Sequence, residues 1–235
     1  MPVSRTAAGS RFAGGSVAAL RIGVLSLQGA FAEHLASLAG VGAEAVAVRL
    51  PRHLRGLDGL VIPGGESTAI GKLMRACGFV EPLRSLAEQA FPIYGTCAGM
   101  ILLARDIRGD ETGEVGENRV GVMDIVVRRN AFGRQVESFE QDVEIPPIGG
   151  APFRGVFIRA PLVVRVGADV RVLCRLPDGR IVGAEQENML VTAFHPELTP
   201  DGRVHSYFLE LVARARRSGS YRLRGVPEGG YGASS

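Results

Sequence analysis

Tryptophan is absent from the 235 residues, and Lys72 is the single lysine among 27 basic residues. The arginines that carry nearly all the positive charge are scattered, neither gathered on one segment nor interleaved with aromatics. A formal charge of +3 and a pI near 9.0 therefore imply no nucleic-acid partner. Cysteine is scarce as well. Cys77, Cys97 and Cys174 are odd in number, far apart and without a CxxC pair. That pattern argues against a disulfide framework and against a metal site, and a reducing cytoplasm is the compartment it fits. No apolar run approaches the roughly 20 residues that span a bilayer, so no membrane partner is expected.

What the chain does contain is globular: 46% of residues are hydrophobic and 22% charged, enough to bury one good core but not two. Residues 1–20 are rich in Gly, Ala, Ser and Arg, without an acidic residue or a hydrophobic period. They are expected to form a mobile tail, since they bury too little to offset the entropy of ordering. The stretch lacks the roughly 7 to 15 apolar residues of a secretory signal, and an overextended start is an equal alternative. Residues 215–235 are again Gly, Ser and Arg rich and are expected to be a second tail. One domain, 21–214, lies between them.

Within that domain, short β-branched runs alternate with helical stretches. Strands are expected at Arg21 to Leu27, Ala45 to Val48, Leu57 to Ile62 and Pro92 to Gly95, and helices at Ala30 to Leu38, Ser67 to Ala76 and Pro82 to Ala90. Such alternation implies an α/β fold, with a mostly parallel central sheet covered by helices on both faces. Beyond Ala104 the texture changes. Asp106 to Arg119 is polar and contains glycines, which predicts a surface loop. Strand-like segments follow at Met123 to Val127, Val136 to Ile145, Gly155 to Ile158, Val170 to Leu176 and Arg180 to Glu185, an added antiparallel region, before a last helix at about Arg203 to Arg214.

The sharpest local signal is Tyr94-Gly95-Thr96-Cys97-Ala98-Gly99, a buried strand running straight into an apolar helix. Small residues at Gly95 and Gly99 allow the tight turn of a nucleophile elbow and let backbone approach a substrate closely. The turn sets the Cys97 sulfur at a helix start, where the dipole favours a thiolate by ~0.3 to 1 kcal/mol. From the elbow alone, a small buried cysteine is an equal reading. Cys77 and Cys174 lack these flanks and read as packing.

A cysteine nucleophile needs a base, and there are four histidines. His195 follows the apolar run Leu190 to Phe194 and precedes Pro196 and Glu197. The proline fixes the turn, so the Glu197 carboxylate can reach one imidazole nitrogen while the other faces Cys97. His34 lies in an amphipathic helix, His53 beside arginines and His205 early in the last helix, all read as surface or structural. Pro63-Gly64-Gly65-Glu66-Ser67 follows a strand and opens a helix, so its N–H groups can face a site at the strand's carboxyl end. Equally, it can be a plain connection with Ser67 as the helix cap.

Together GTCAG, PGGES and HPE resemble the class I glutamine amidotransferases over about residues 21–214. Leu27-Gln28-Gly29-Ala30, the stretch from Arg129 to Gln135, Ser138-Phe139-Glu140, the stretch from Phe157 to Pro161 and His195 to Thr199 are similar to the glutaminases that serve pyridoxal 5'-phosphate synthase. The resemblance implies hydrolysis of L-glutamine by Cys97, His195 and Glu197, with no cofactor. It implies that Gly64, Gly65, Glu66, Arg129, Ile158 and Arg159 hold glutamine, with N–H groups of Gly65 and Ala98 at the oxyanion. A free amino acid needs a cation for its carboxylate and an acceptor for its ammonium, which agrees with that set. It further implies a barrel-shaped synthase subunit as partner, with Gln28 in the contact or activation region. Rival readings are the glutaminase of another amidotransferase, a non-catalytic docking subunit of the same fold, and a cysteine peptidase or thioesterase.

Overall fold

In a computed structural model, which describes residues 19–131 and 138–219, the apolar runs become strands buried on both faces. Strand β1 (Arg21–Leu25) leads through helix α1 (Phe31–Gly40) to β2 (Glu44–Val48), and β3 (Gly59–Ile62) follows. Helices α2 (Ser67–Ala76) and α3 (Val80–Glu88) precede β4 (Ile93–Thr96), and α4 (Ala98–Leu103) begins two residues after it. Then come β5 (Ala104–Arg108), α5 (Glu114–Asn118), β6 (Met123–Arg128), β7 (Ser138–Val143) and β8 (Phe153–Ile158). The chain continues through β9 (Leu162–Val166), β10 (Arg171–Arg175), β11 (Ile181–Gln186) and β12 (Met189–Thr192) to helix α6 (Arg203–Ser218).

Ten strands form one sheet in the order β2-β1-β3-β4-β12-β11-β9-β6-β5, with β10 on β11, while β7 and β8 make a separate antiparallel pair. From β2 to β12 all neighbours are parallel. From β12 to β6 they are antiparallel, and β5 and β6 are again parallel. Because β2 and β3 flank β1 on opposite sides, right-handed crossovers send their helices to opposite faces and open a crevice at the strands' carboxyl ends. Register levels those ends: Ile62 pairs with Gly95, and Thr96 with Thr192. Beneath them Tyr94, Phe91, Phe194 and Phe208 are fully buried, each contributing about 1.5 to 3 kcal/mol of transfer free energy.

Three expectations need correction. The stretch from Asp106 to Arg119 is no plain loop: it holds most of β5 and all of α5. Its polarity misled because β5 is an edge strand with exposed Arg105, Asp106 and Arg108, and α5 buries only Val115 and Asn118. In place of apolar packing, Asp110 ties α5 down by accepting from the Val115 and Gly116 N–H groups at 3.4 and 2.7 Å. Strand β9 was not anticipated. The last helix runs four residues past Arg214 to Ser218, an amphipathic face continuing through buried Ala215 into the segment read as a tail. Residues 1–18 and 220–235, and Phe132 to Gln135 of the arginine-rich motif, lie outside the described residues.

Candidate active site

The site assembles where β3, β4 and β12 end. Cys97 sits between β4 and α4 with φ 48° and ψ −101°, a region costing on the order of 1 to 3 kcal/mol for a residue with a side chain. Its N–H donates to Thr192 O at 2.8 Å and its carbonyl accepts from Ile101 N at 3.3 Å, so both neighbouring elements enforce the turn. The elbow glycines serve packing: a Cβ on Gly99 would fall 2.1 Å from Ile62 O, and one on Gly95 would fall 2.6 Å from the Gly99 backbone. The sulfur is nearly buried, and Ile158 O accepts from it at 3.8 Å. Helix α4 is only six residues long, so its dipole is small and the adjacent imidazole is the stronger electrostatic influence.

His195 follows β12, its backbone N–H donating to Val156 O at 2.8 Å, which fastens the β7–β8 pair to the site. The short 3-10 turn Pro196–Leu198 brings Glu197 round so that Oε1 lies 2.8 Å from His195 Nδ1, with both side chains buried. Burial works against charge on this ring. Hydrogen bonds with Cys97 and Glu197, reinforced by their charges, outweigh it and push His195 up to about 10. An imidazolium held between a sulfur and a carboxylate is a proton donor suited to a leaving amine.

Gly64 closes the third side. A Cβ there would lie 2.3 Å from His195 Cε1 and 3.2 Å from Cys97 Cβ, so only glycine lets the turn approach both. Gly64 O accepts from Ala30 N at 3.0 Å, and in a trans peptide this points the Gly65 N–H the opposite way. The Ala98 N–H lies in the first turn of α4, where N–H groups have no intrahelical acceptor. Gln28 Oε1 accepts from Glu66 N at 3.1 Å, joining the segment after β1 to the same turn.

The cap of α2 is Glu66 rather than Ser67: its carboxylate accepts from the Thr68 and Ala69 N–H groups at 3.0 and 2.6 Å. Partial burial opposes its charge, but those two donors prevail and hold its pKa below the usual value. Arg129, past the end of β6, places Nη2 3.4 Å from Thr68 Oγ1 and 3.7 Å from Glu66 Oε1. A guanidinium beside a carboxylate complements the head of a free amino acid. Ile158 ends β8 and Arg159 follows it, at φ 42° and exposed, with the Ile158 carbonyl toward the sulfur.

Three residues near these groups were not assigned to the site from sequence. Asp110 Oδ1 lies 3.3 Å from Arg129 Nη1, its side chain almost buried, and so fixes the guanidinium from behind. His34 and His205 are fully buried, their rings 3.0 Å apart at Nδ1 and Nε2, and His34 Nε2 is 3.3 Å from Glu197 Oε2. Their convergence on one crevice shows only in three dimensions. Cys77 caps α2, while Cys174 is buried in β10, its thiol pushed up to about 12 by burial.

Comparison with known proteins agrees with this geometry. The Pelotomaculum thermopropionicum protein named pyridoxal 5'-phosphate synthase subunit PdxT is 56% identical over 196 residues, covering 83% of this chain and 97% of its own. The protein of the same name from Leifsonia xyli is 53% identical over 192 residues, covering 82% and 96%. A crystal structure described as a glutamine amidotransferase superposes with a TM-score of 0.76 at 49% identity, covering 82% of this chain and 98% of that one. A chain from the Thermotoga maritima PurLQS structure, at 17% identity and a TM-score of 0.59, shares the fold over 82% of this chain and 98% of its own. The sequence pattern of the SNO glutamine amidotransferase family matches residues 24–214, and the chain belongs to that family.

Proposed function

We propose that this chain is the glutaminase subunit of a pyridoxal 5'-phosphate synthase, hydrolysing L-glutamine to L-glutamate and ammonia and passing the ammonia to a synthase subunit. The observation that carries the reading is one imidazole, His195, 2.8 Å from Glu197 by Nδ1 and flanking the Gly64 turn together with Cys97, at the ends of neighbouring strands. The names of the relatives support the pathway, and the Arg129 and Glu66 pair supports a free amino acid as substrate. Among the described residues no helix is long and apolar enough to cross a membrane, which is compatible with a cytoplasmic enzyme.

In this mechanism Arg129 and Arg159 hold the glutamine carboxylate and Glu66 its ammonium, which sets the side-chain amide above Cys97. The sulfur bonds to the amide carbon, and the oxygen takes the electron pair as an oxyanion facing the N–H groups of Gly65 and Ala98. The oxyanion collapses, the C–N bond breaks, and His195 gives its proton to the departing nitrogen, which leaves as ammonia. Water then attacks the thioester while His195 accepts its proton, releasing glutamate and the sulfur. Glu197 keeps the ring oriented and shares its positive charge. Gln28, hydrogen-bonded to the turn beside Cys97, is the route by which a docked barrel-shaped synthase would adjust the oxyanion donors.

The test mixes the purified chain with the synthase subunit and measures ammonia released from glutamine. Release should depend on both proteins and fall by roughly 10⁴-fold or more in Cys97→Ala, as for loss of other nucleophiles. Undiminished release by that variant would contradict the mechanism. Stimulation by the synthase of another amidotransferase, but not by this one, would contradict the pathway.

A further inference from the structure

Glu197 has two carboxylate oxygens, and the triad uses one. Oε1 meets His195 Nδ1 at 2.8 Å, while Oε2 is fully buried and has no aligned hydrogen-bond donor among the described residues. His34, reaching in from α1, stands 3.3 Å from Oε2 by its Nε2, which also lies 3.0 Å from Thr96 Oγ1. Behind it, His34 Nδ1 meets His205 Nε2 from α6 at 3.0 Å, and His205 Nδ1 is buried without a partner among the described residues. The line from Cys97 through His195 and Glu197 therefore continues across the crevice floor to two helices on the same face.

The protons of this line follow from elimination. If His34 Nε2 were bare, its lone pair would face a buried carboxylate oxygen, two acceptors with nothing between them. Nε2 must therefore carry a hydrogen, which Thr96 Oγ1 accepts at 3.0 Å with Glu197 Oε2 beside it at 3.3 Å. Burial, with His205 and His195 adding to it, holds His34 well below the ordinary histidine range, so the ring is neutral and Nδ1 is bare. A bare Nδ1 has to accept from His205 Nε2–H. That leaves His205 Nδ1 as an unpaired acceptor, which a buried site tolerates better than an unpaired N–H. The opposite set of tautomers would strand both a carboxylate oxygen and a buried donor.

We infer that His34 is a positioning residue for the glutaminase reaction: its neutral ring, fixed as the Nε2–H tautomer by His205 and Thr96, sets the positive end of that N–H dipole 3.3 Å from the second oxygen of Glu197 and so holds the carboxylate that orients His195. This rests on the triad reading above. It assigns His34 no contact with glutamine, so its loss acts on turnover and not on binding. The neutrality of the pair matters, because a cation at His34 would compete with His195 for the same carboxylate.

Two measurements decide it. In the unmodified protein, nitrogen NMR of the histidine rings should show His34 and His205 both protonated at Nε2 and bare at Nδ1 at neutral pH; a proton on His34 Nδ1 would overturn the assignment. In the ammonia assay with the synthase subunit, His34→Leu should lower kcat by roughly 10- to 100-fold, as does loss of the support behind a metal-bound histidine, with KM within about twofold. His34→Gln, which keeps an amide donor near the Nε2 position, should recover most of that loss. Wild-type kcat in His34→Leu, or a fall in both variants together with KM, would overturn the role. If the unmodified pair of proteins released no ammonia, the glutaminase reading would fail, and the ring spectra would still judge the hydrogen-bond line by themselves.

Discussion

Cys97 and His195 leave parallel strands locked in register by neighbours, whereas Arg129, Ile158 and Arg159 stand on turns at the ends of β6 and β8. The two sides of the site are thus built from different backbone. On the nucleophile side, main-chain hydrogen bonds from Cys97 to Thr192 and from His195 to Val156 leave the reacting groups little freedom. On the glutamine side, position comes from side chains: Asp110 and Thr68 hold Arg129, and Asp110 itself belongs to the short α5 region near an edge strand. In the proposed mechanism, chemistry that fails with a misplacement of about 1 Å would sit on the rigid half, and recognition that tolerates adjustment on the other.

Substitutions on the two sides should therefore split kcat from KM. The largest effect is expected at Gly64, where Ala would thrust a Cβ to 2.3 Å from the His195 ring. Since either the turn or the imidazole must shift, kcat should fall roughly 10²-fold with KM changed only a few-fold. Steady-state ammonia kinetics would check this, and a KM effect alone would break the distinction. On the other side, Arg129→Met removes a charge-assisted contact worth about 2 kcal/mol, so KM should rise roughly 30-fold while kcat stays near its original value. Asp110→Asn leaves the guanidinium in place but loosens it, and a KM increase of about fivefold is expected, matching roughly 1 kcal/mol.

The smallest effect on activity, and the one that sharpens the contrast among the histidines, lies in the pH dependence of stability. His205 is pushed down to about 4 by burial, so the unfolded chain binds a proton that the folded one refuses. Its contribution is present above about pH 6.5 and is lost as pH falls toward 4, an order of 3 kcal/mol at roughly 1.36 kcal/mol per unit. His195 has the opposite sign: raised to about 10, it contributes fully below about pH 6.5 and its contribution fades as pH rises toward 10. Thermal melts across this range should show a shallower acid limb in His205→Gln than in the parent. Identical acid limbs would contradict the buried neutral pair.

The site proposed to hydrolyse glutamine was read from the sequence because its signals are local. GTCAG, PGGES and HPE each pack a strand end, a turn and a functional group into five residues or fewer, so reading them needs no knowledge of the partner elements. The supporting residues were not legible, for a physical reason. The helical period around His34 reads the same whether its apolar stripe faces a plain core or a catalytic carboxylate. Asp110 hides in a polar stretch whose folding depends on its own carboxylate accepting backbone N–H groups, a long-range arrangement that composition disguises as loop. Likewise most of the β-rich second half was recognised as strands, though not β9, and their order in the sheet, with β12 between β4 and β11, could be seen only in three dimensions.

Everything in the mechanism requires that Cys97 be the nucleophile and that glutamine occupy the space in front of it. A glutamine-shaped diazoketone, followed by peptide mass mapping, examines both together. The modification should fall on Cys97 and not on Cys77 or Cys174, glutamine should protect against it, and His195→Ala should slow it. Labelling spread over the three cysteines, or labelling of Cys97 indifferent to glutamine, would contradict the account.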